Sequence, residues 1–233
     1  MGTVSGRVFL FFSLLLALSP GNHLSAQEVL RGEIQVDLEP VLTWYMDVSY
    51  PLDADGARLR ALEEASMYYG AMIYGWSFEY EIGERARGIP ELFELTSLGG
   101  IEFGDKRLRA TDAELRGMRF HLWTDYRLDE SQRRRMLMWK SGTIRSAQAI
   151  GKGPLGGAVE ASDWLKIKSA ALEDAARAAV RAMLRGQERN RPKEARGYIA
   201  LTSFPVYWID AGEWTVSARF KVELTEIVPF AAY

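Results

Sequence analysis

His121 is the one histidine outside the first 26 residues, and Asp125 lies four residues after it. A catalytic histidine needs a nucleophile or second base within hydrogen-bond reach. The alternating pattern around the two puts them on one strand face with Trp123 between, about 13 Å apart along the strand, so direct contact is not expected. A packed or solvated strand histidine is the stronger expectation. Glu79 and Glu81 also share a strand face, at a spacing of about 7 Å that falls in the range of inverting glycoside hydrolysis. Because they alternate with Trp76, Phe78, Tyr80 and Ile82, a solvated face accounts for them more simply. Gly151-Lys152-Gly153 lacks the upstream glycine and the Ser or Thr of a phosphate-binding loop, Pro154 standing next instead. Asp53-Ala54-Asp55-Gly56 begins like a calcium loop and then lacks the remaining ligands, which leaves turn and helix-cap chemistry.

Two surfaces are candidates for binding. Arg133, Arg134 and Arg135, with Arg127 and Lys140, make a basic patch in an otherwise acidic chain. It could meet anionic head groups, peptidoglycan acids or an acidic partner, or it could guard a solvated hairpin edge. Tyr68, Tyr69, Tyr74 and Trp76, with Trp44 and Tyr45, form an aromatic group. Most belong in a core, but Tyr68 and Tyr74 fall off the main stripe and are candidates for a partner- or glycan-binding patch.

The elements that must hold these residues are legible as period-two and helical patterns. Val41 to Tyr50 reads as a strand stopped by Pro51, Ala57 to Tyr74 as a helix ended by Gly75, and Trp76 to Ile82 as a half-buried strand. Pro90 to Leu95 fits a short helix, and Arg107 to Glu114 a short strand. Met118 to Leu128 alternates firmly. Asp129-Glu130-Ser131-Gln132 then looks like a reversal into a partner strand near Arg134 to Ile144, where a helix also fits. An alanine-rich helix is expected from Ser169 to Arg185, with Leu172, Ala176, Ala179 and Met183 on its stripe. Two closing strands follow, Tyr198 to Ile209 with Pro205 inside it and Trp214 to Leu224, joined at Asp210-Ala211-Gly212-Glu213.

Arg7, the apolar run from Val8 to Leu18 and Ser19-Pro20-Gly21 before Ala26 follow the order of a secretory signal. Cleavage after Ala26 is expected, with an uncleaved anchor as the alternative because Leu24 spoils the junction. The chain would then be exported to the periplasm or cell envelope, or released. With no cysteine, disulfides, thiolate metal sites and lipidation through cysteine are excluded. Residues 27 to 233 carry 28 basic and 31 acidic side chains, a balance that does not suggest nucleic-acid binding. No cofactor is implied, and no later segment is apolar enough to span a bilayer.

Ala61-Leu62-Glu63-Glu64-Ala65 lies over Ala171-Leu172-Glu173-Asp174-Ala175, and each helix precedes alternating strands. Two related helix-on-sheet modules, at 27–150 and 158–233 with a glycine-rich connection at 151–157, are therefore one reading; a single continuous domain is the other. Ala147 to Gly153, Ala170 to Arg177 and Trp214 to Val222 together resemble the small bacterial outer-membrane lipoprotein antigen family and the related N-terminal module of flagellar assembly proteins. That resemblance covers about residues 145 to 225. It implies a strand ending in Gly-x-Gly, then an alanine-rich helix packed on antiparallel sheet. The lipid-bearing cysteine of those lipoproteins is missing here. The expectation is an α+β, non-enzymatic envelope protein that binds a protein partner or envelope component, including as an accessory of an envelope or flagellar complex. The alternative is a periplasmic hydrolase or glycan-binding protein using Glu79, Glu81 or Asp125.

Overall fold

The structure, a computed structural model, describes residues 28–39, 51–84, 88–154, 164–187 and 192–229. The leader expected at 1–26 and the strand expected at Val41 to Tyr50, with Trp44 and Tyr45, lie outside the described residues. The fold is α+β, with two antiparallel sheets and three helices among the described residues. A three-stranded sheet has the order β1 (Val29–Asp37), β5 (Arg119–Arg127), β4 (Leu108–Arg116). A larger sheet runs β3 (Leu92–Ser97), β2 (Trp76–Glu81), β7 (Pro192–Leu201), β9 (Glu213–Pro229), β6 (Arg145–Lys152), with β8 (Val206–Asp210) also paired to β9. Strands from both proposed modules thus share this sheet, and one apolar core joins Ile34 and Leu122 to Ile199 and Phe220.

Helix α1 (Ala54–Ile73) packs against β1 and β5 on one side and β7 on another. That position explains why its burial runs nearly all round, through Ala57, Ala61, Ala65, Tyr68, Tyr69 and Ile73. Leu59, expected on its inner stripe, is exposed. Asp53 caps the helix, its Oδ1 accepting from the Gly56 N–H at 2.7 Å, as the turn-and-cap reading requires. Helix α3 (Trp164–Gln187) lies on β6 and β9. Ala171, Ala175 and Ala179 are fully buried there, and a Cβ on Gly151 would fall 2.2 Å from the Ala175 nitrogen. Gly151 and Lys152 are therefore strand residues in close helix contact, not a joint; residues 155–157 of the expected connection lie outside the described residues.

Two local expectations are corrected. Residues Glu130–Trp139 form helix α2, the alternative reading of this segment, and not a hairpin partner strand. Asp129 and Gln132 complete a capping box at its start, and Gln132, only 1% exposed, also donates to the hydroxyls of Tyr74 and Tyr126 at 3.0 and 2.9 Å. The segment after Pro90 is β3, because β2 offers an edge on which it pairs from Trp76↔Ser97 to Glu81↔Leu92. At the C-terminal hairpin, Ala211 and Gly212 both take positive φ, the turn that a two-residue β connection needs.

The expected strand across Pro205 is split. β7 and β8 lie along the same edge of β9, separated by Thr202 to Pro205. Thr202 still donates to the Arg219 carbonyl at 2.9 Å. In the gap Phe204 leaves the sheet and packs on Tyr68 and Tyr69, at centroid distances of 5.1 and 4.8 Å. Its ring also lies where a Cβ on Gly32 would stand, within 2.2 Å, so the glycine in β1 is required for the two sheets to close on α1.

Candidate functional site

Position 64 of α1 and position 168 of α3 both fall on buried helix faces, and both are charged. The Lys168 ammonium donates to both oxygens of the Glu64 carboxylate at 2.8 Å. Both residues are almost fully buried, at 3% and 7% exposure. The Tyr68 hydroxyl, one helical turn from Glu64, donates to Glu64 Oε1 at 2.5 Å. Three rings surround the ammonium: its Nζ lies 5.1 Å from the centroids of Tyr207 and Trp214 and 5.7 Å from that of Trp164. Tyr207 is fixed in turn by donating to the Lys168 carbonyl at 3.0 Å. Burial raises the Tyr68 hydroxyl well above the usual phenol range, the Glu64 charge adding to it, and burial raises Tyr207 as well. Both phenols therefore stay protonated and act as neutral donors across the physiological range.

Above this floor opens a cleft of about 310 Å³ between the two sheets. One wall is β1, through Glu33, Gln35 and Asp37. The other is the Phe204 corner and β8, including Trp208, which is 38% exposed. Asp37 is held by Arg119 Nε at 2.8 Å, and Glu33 Oε1 by His121 Nδ1 at 2.7 Å. His121 is thus a buried, paired strand histidine stacked on Trp123 at 6.1 Å, with Asp125 instead bridged to Arg31 at 3.5 Å.

A second cleft of about 340 Å³ lies across α1, where Gly70, Trp76, Gly100, Ile101 and Phe103 give it an apolar lining without a buried charge. Among the described residues no cluster of His, Cys, Asp or Glu is arranged to hold a metal ion, and no helix is long and apolar enough to cross a membrane.

The residues singled out from sequence are only partly brought together. Tyr68 is core rather than surface, and it belongs to the cleft floor. Tyr74 caps α1 and accepts from Gln132, so it is tied to α2 and not to an open aromatic patch. Arg133, Arg134 and Arg135 occupy successive helical positions in α2 and so diverge around it. Arg133 and Arg134 pair with Glu130, at 2.6 and 3.9 Å, and Lys140 with Glu28 at 3.2 Å. Arg127 is exposed at the end of β5. Glu79 and Glu81 are exposed on β2, Glu79 bridging to Arg196 at 3.5 Å; they, and Asp125 on the other sheet, do not converge. Lys152 pairs with Asp210 and Glu213 at 3.2 and 3.3 Å.

Glu64, Lys168 and Tyr207 instead join Tyr68 in a buried polar constellation; of the four, only Tyr68 is a candidate from sequence. A signal existed: each charge sits at helical spacing from buried-stripe residues, Glu64 three after Ala61 and Lys168 three before Ala171 and four before Leu172. A helix expected from Ser169, where α3 in fact begins at Trp164, leaves Lys168 outside it.

A protein-family model matches residues 18–230. The chain belongs to that family. An uncharacterised protein of Treponema pallidum (strain Nichols) is 26% identical over 171 residues, covering 73% of this chain and 69% of that protein. No solved structure matches.

Proposed function

We propose that this is an exported, non-enzymatic protein of the cell envelope that acts by binding, with the cleft between β1 and β8 as its ligand site. The observation that carries this reading is the convergence of a buried ion pair and an aromatic shell beneath an open cleft. A buried lysine–carboxylate pair is weak support for stability, since apolar residues of the same volume often serve as well, so its presence under a cleft favours a functional reason. Binding is favoured over catalysis because the acids at the cleft are held by partners: Glu64 by Lys168 and Tyr68, Asp37 by Arg119, Glu33 by His121. Export rests on the leader at 1–26. An accessory role in an envelope or flagellar assembly rests on the resemblance of residues 145–225.

The test is a thermal-shift screen of a chemically broad ligand set against the purified protein and its Trp208→Ala variant. Ligands that raise the unfolding temperature of the parent but not of the variant are expected. A set in which every stabilising ligand acts equally on both proteins would remove the cleft from consideration.

A further inference from the structure

Resting on the binding reading above, we infer that the cleft takes an uncharged, hydroxyl-rich ligand with an apolar ring face, a neutral carbohydrate. The ionisable groups that line the cleft already have partners within the protein: Glu64 is ion-paired with Lys168 at 2.8 Å and Asp37 with Arg119 at 2.8 Å, while Glu33 is hydrogen-bonded to His121 at 2.7 Å. A ligand cation would be expected to seek an aromatic cage, but the cage is filled by the protein's own ammonium, with Tyr207 and Trp214 each 5.1 Å from Lys168 Nζ. A ligand anion would have to displace Asp37 from Arg119 or Glu64 from Lys168, the two cations of the cleft, each already held at 2.8 Å.

What the cleft still offers suits a neutral polyol. A carboxylate has about four lone-pair sites, so Glu33 and Asp37 retain acceptor capacity beyond their present partners, and the Gln35 amide, which donates to Glu33 Oε1 at 3.4 Å, adds its oxygen and its second N–H. Opposite them, Trp208 and Phe204 supply flat apolar surface. Hydroxyls on one side and an apolar ring face on the other are the two features of a pyranose, and apolar walls with a few placed polar groups are the usual construction of such a pocket. The volume of about 310 Å³ is at the small end of ligand sites, which run from roughly 300 to 1,000 Å³. It therefore suits a short glycan segment rather than a protein surface.

The experiment is titration of the purified protein with maltose, cellobiose and diacetylchitobiose, and with glucosamine and glucuronate as charged counterparts, read by tryptophan fluorescence and calorimetry. At least one neutral disaccharide should saturate with a Kd of roughly millimolar or tighter. Trp208→Ala should weaken it at least about tenfold, and Gln35→Ala several-fold. Both positions are exposed, so thermal unfolding of the two variants should stay close to the parent and certify the fold. Tighter binding of glucosamine or glucuronate than of any neutral sugar, lost in Trp208→Ala, would overturn the carbohydrate class and leave the binding site standing. Failure of every sugar would overturn the class too. The binding reading falls with it only if the broad ligand screen also finds no ligand that depends on Trp208.

Discussion

Glu64 and Lys168 show how far a single residue's consequences reach. Removing one partner strands the other charge in the interior, which costs about 3–5 kcal/mol, whereas replacing both with apolar side chains of similar volume is often neutral or stabilising. Glu64→Ala should therefore lower the urea midpoint steeply, and Glu64→Leu with Lys168→Met should restore it. If the pair serves the cleft, the double variant regains stability without regaining ligand binding. A double variant as unstable as the single one would show that the ring cage around Nζ requires a cation. Asp129 gives a second test by pH. The backbone N–H of Gln132, then the Ser131 hydroxyl and the Arg107 guanidinium, hold its carboxyl at about 2. An unfolded aspartate titrates near 3.9. The folded form thus has the lower pKa, and its contribution is complete above about pH 4 and is lost as pH falls through about 2. Asn at this position keeps the cap and removes the charge, so the stability advantage of the parent over Asp129→Asn should shrink between about pH 4 and pH 2 in urea titrations. The carboxyl is 44% exposed, so the advantage is modest.

At the scale of elements, the close approach of α3 to β6 is set by Gly151. A Cβ there would meet the Ala175 nitrogen at 2.2 Å and the Ala171 carbonyl at 2.3 Å, both backbone atoms that cannot rotate away. Overpacking of this kind costs roughly 1–3 kcal/mol, so Gly151→Ala should lower the denaturation midpoint. Gly142→Ala meets nothing within 4 Å and should leave it nearly unchanged. The same contact shows what was legible in the sequence. The alternation of Phe120, Leu122 and Tyr126 and of Val216, Ala218 and Phe220 names the inner faces of β5 and β9, because one face of each strand meets the core. The alanine stripe likewise names the inner side of α3. Gly151-Lys152-Gly153 reads as a joint because a glycine needed for a neighbour's close approach looks, in one dimension, like a glycine needed for freedom. Pro90 to Leu95 reads as helix because the edge of β2 that turns it into a strand is non-local. The cleft was hidden for a related reason: its floor joins residues 64, 168 and 207, and no local spacing relates them.

Across the whole molecule, the cleft exists because two sheets with separate hydrogen-bond ladders close on one helix. Tyr69 of α1 donates to the Thr124 carbonyl of β5 at 2.8 Å, and stacks on Tyr126 at 5.5 Å. Burial pushes its hydroxyl up to about 12, so this link stays protonated and intact well into the alkaline range. From the other sheet the contact comes from Phe204, which reaches Tyr68, Tyr69 and Gly32 from the gap between β7 and β8. Phe204 is thus both a wall of the cleft and the wedge that sets its width. Truncating it removes ring contacts to α1 and frees the space against Gly32, without touching the β6–β9–β7 ladders. Phe204→Ala should therefore act unevenly in native-state hydrogen exchange, with amides of β1 and β5 losing protection while those of β6 and β9 keep most of theirs. Ligand binding should weaken in step with the loss in β1, since Glu33, Gln35 and Asp37 are carried by that strand. Equal loss of protection in both sheets would mean that they unfold as one unit, and that the cleft is fixed by the global fold rather than by the Phe204 contact.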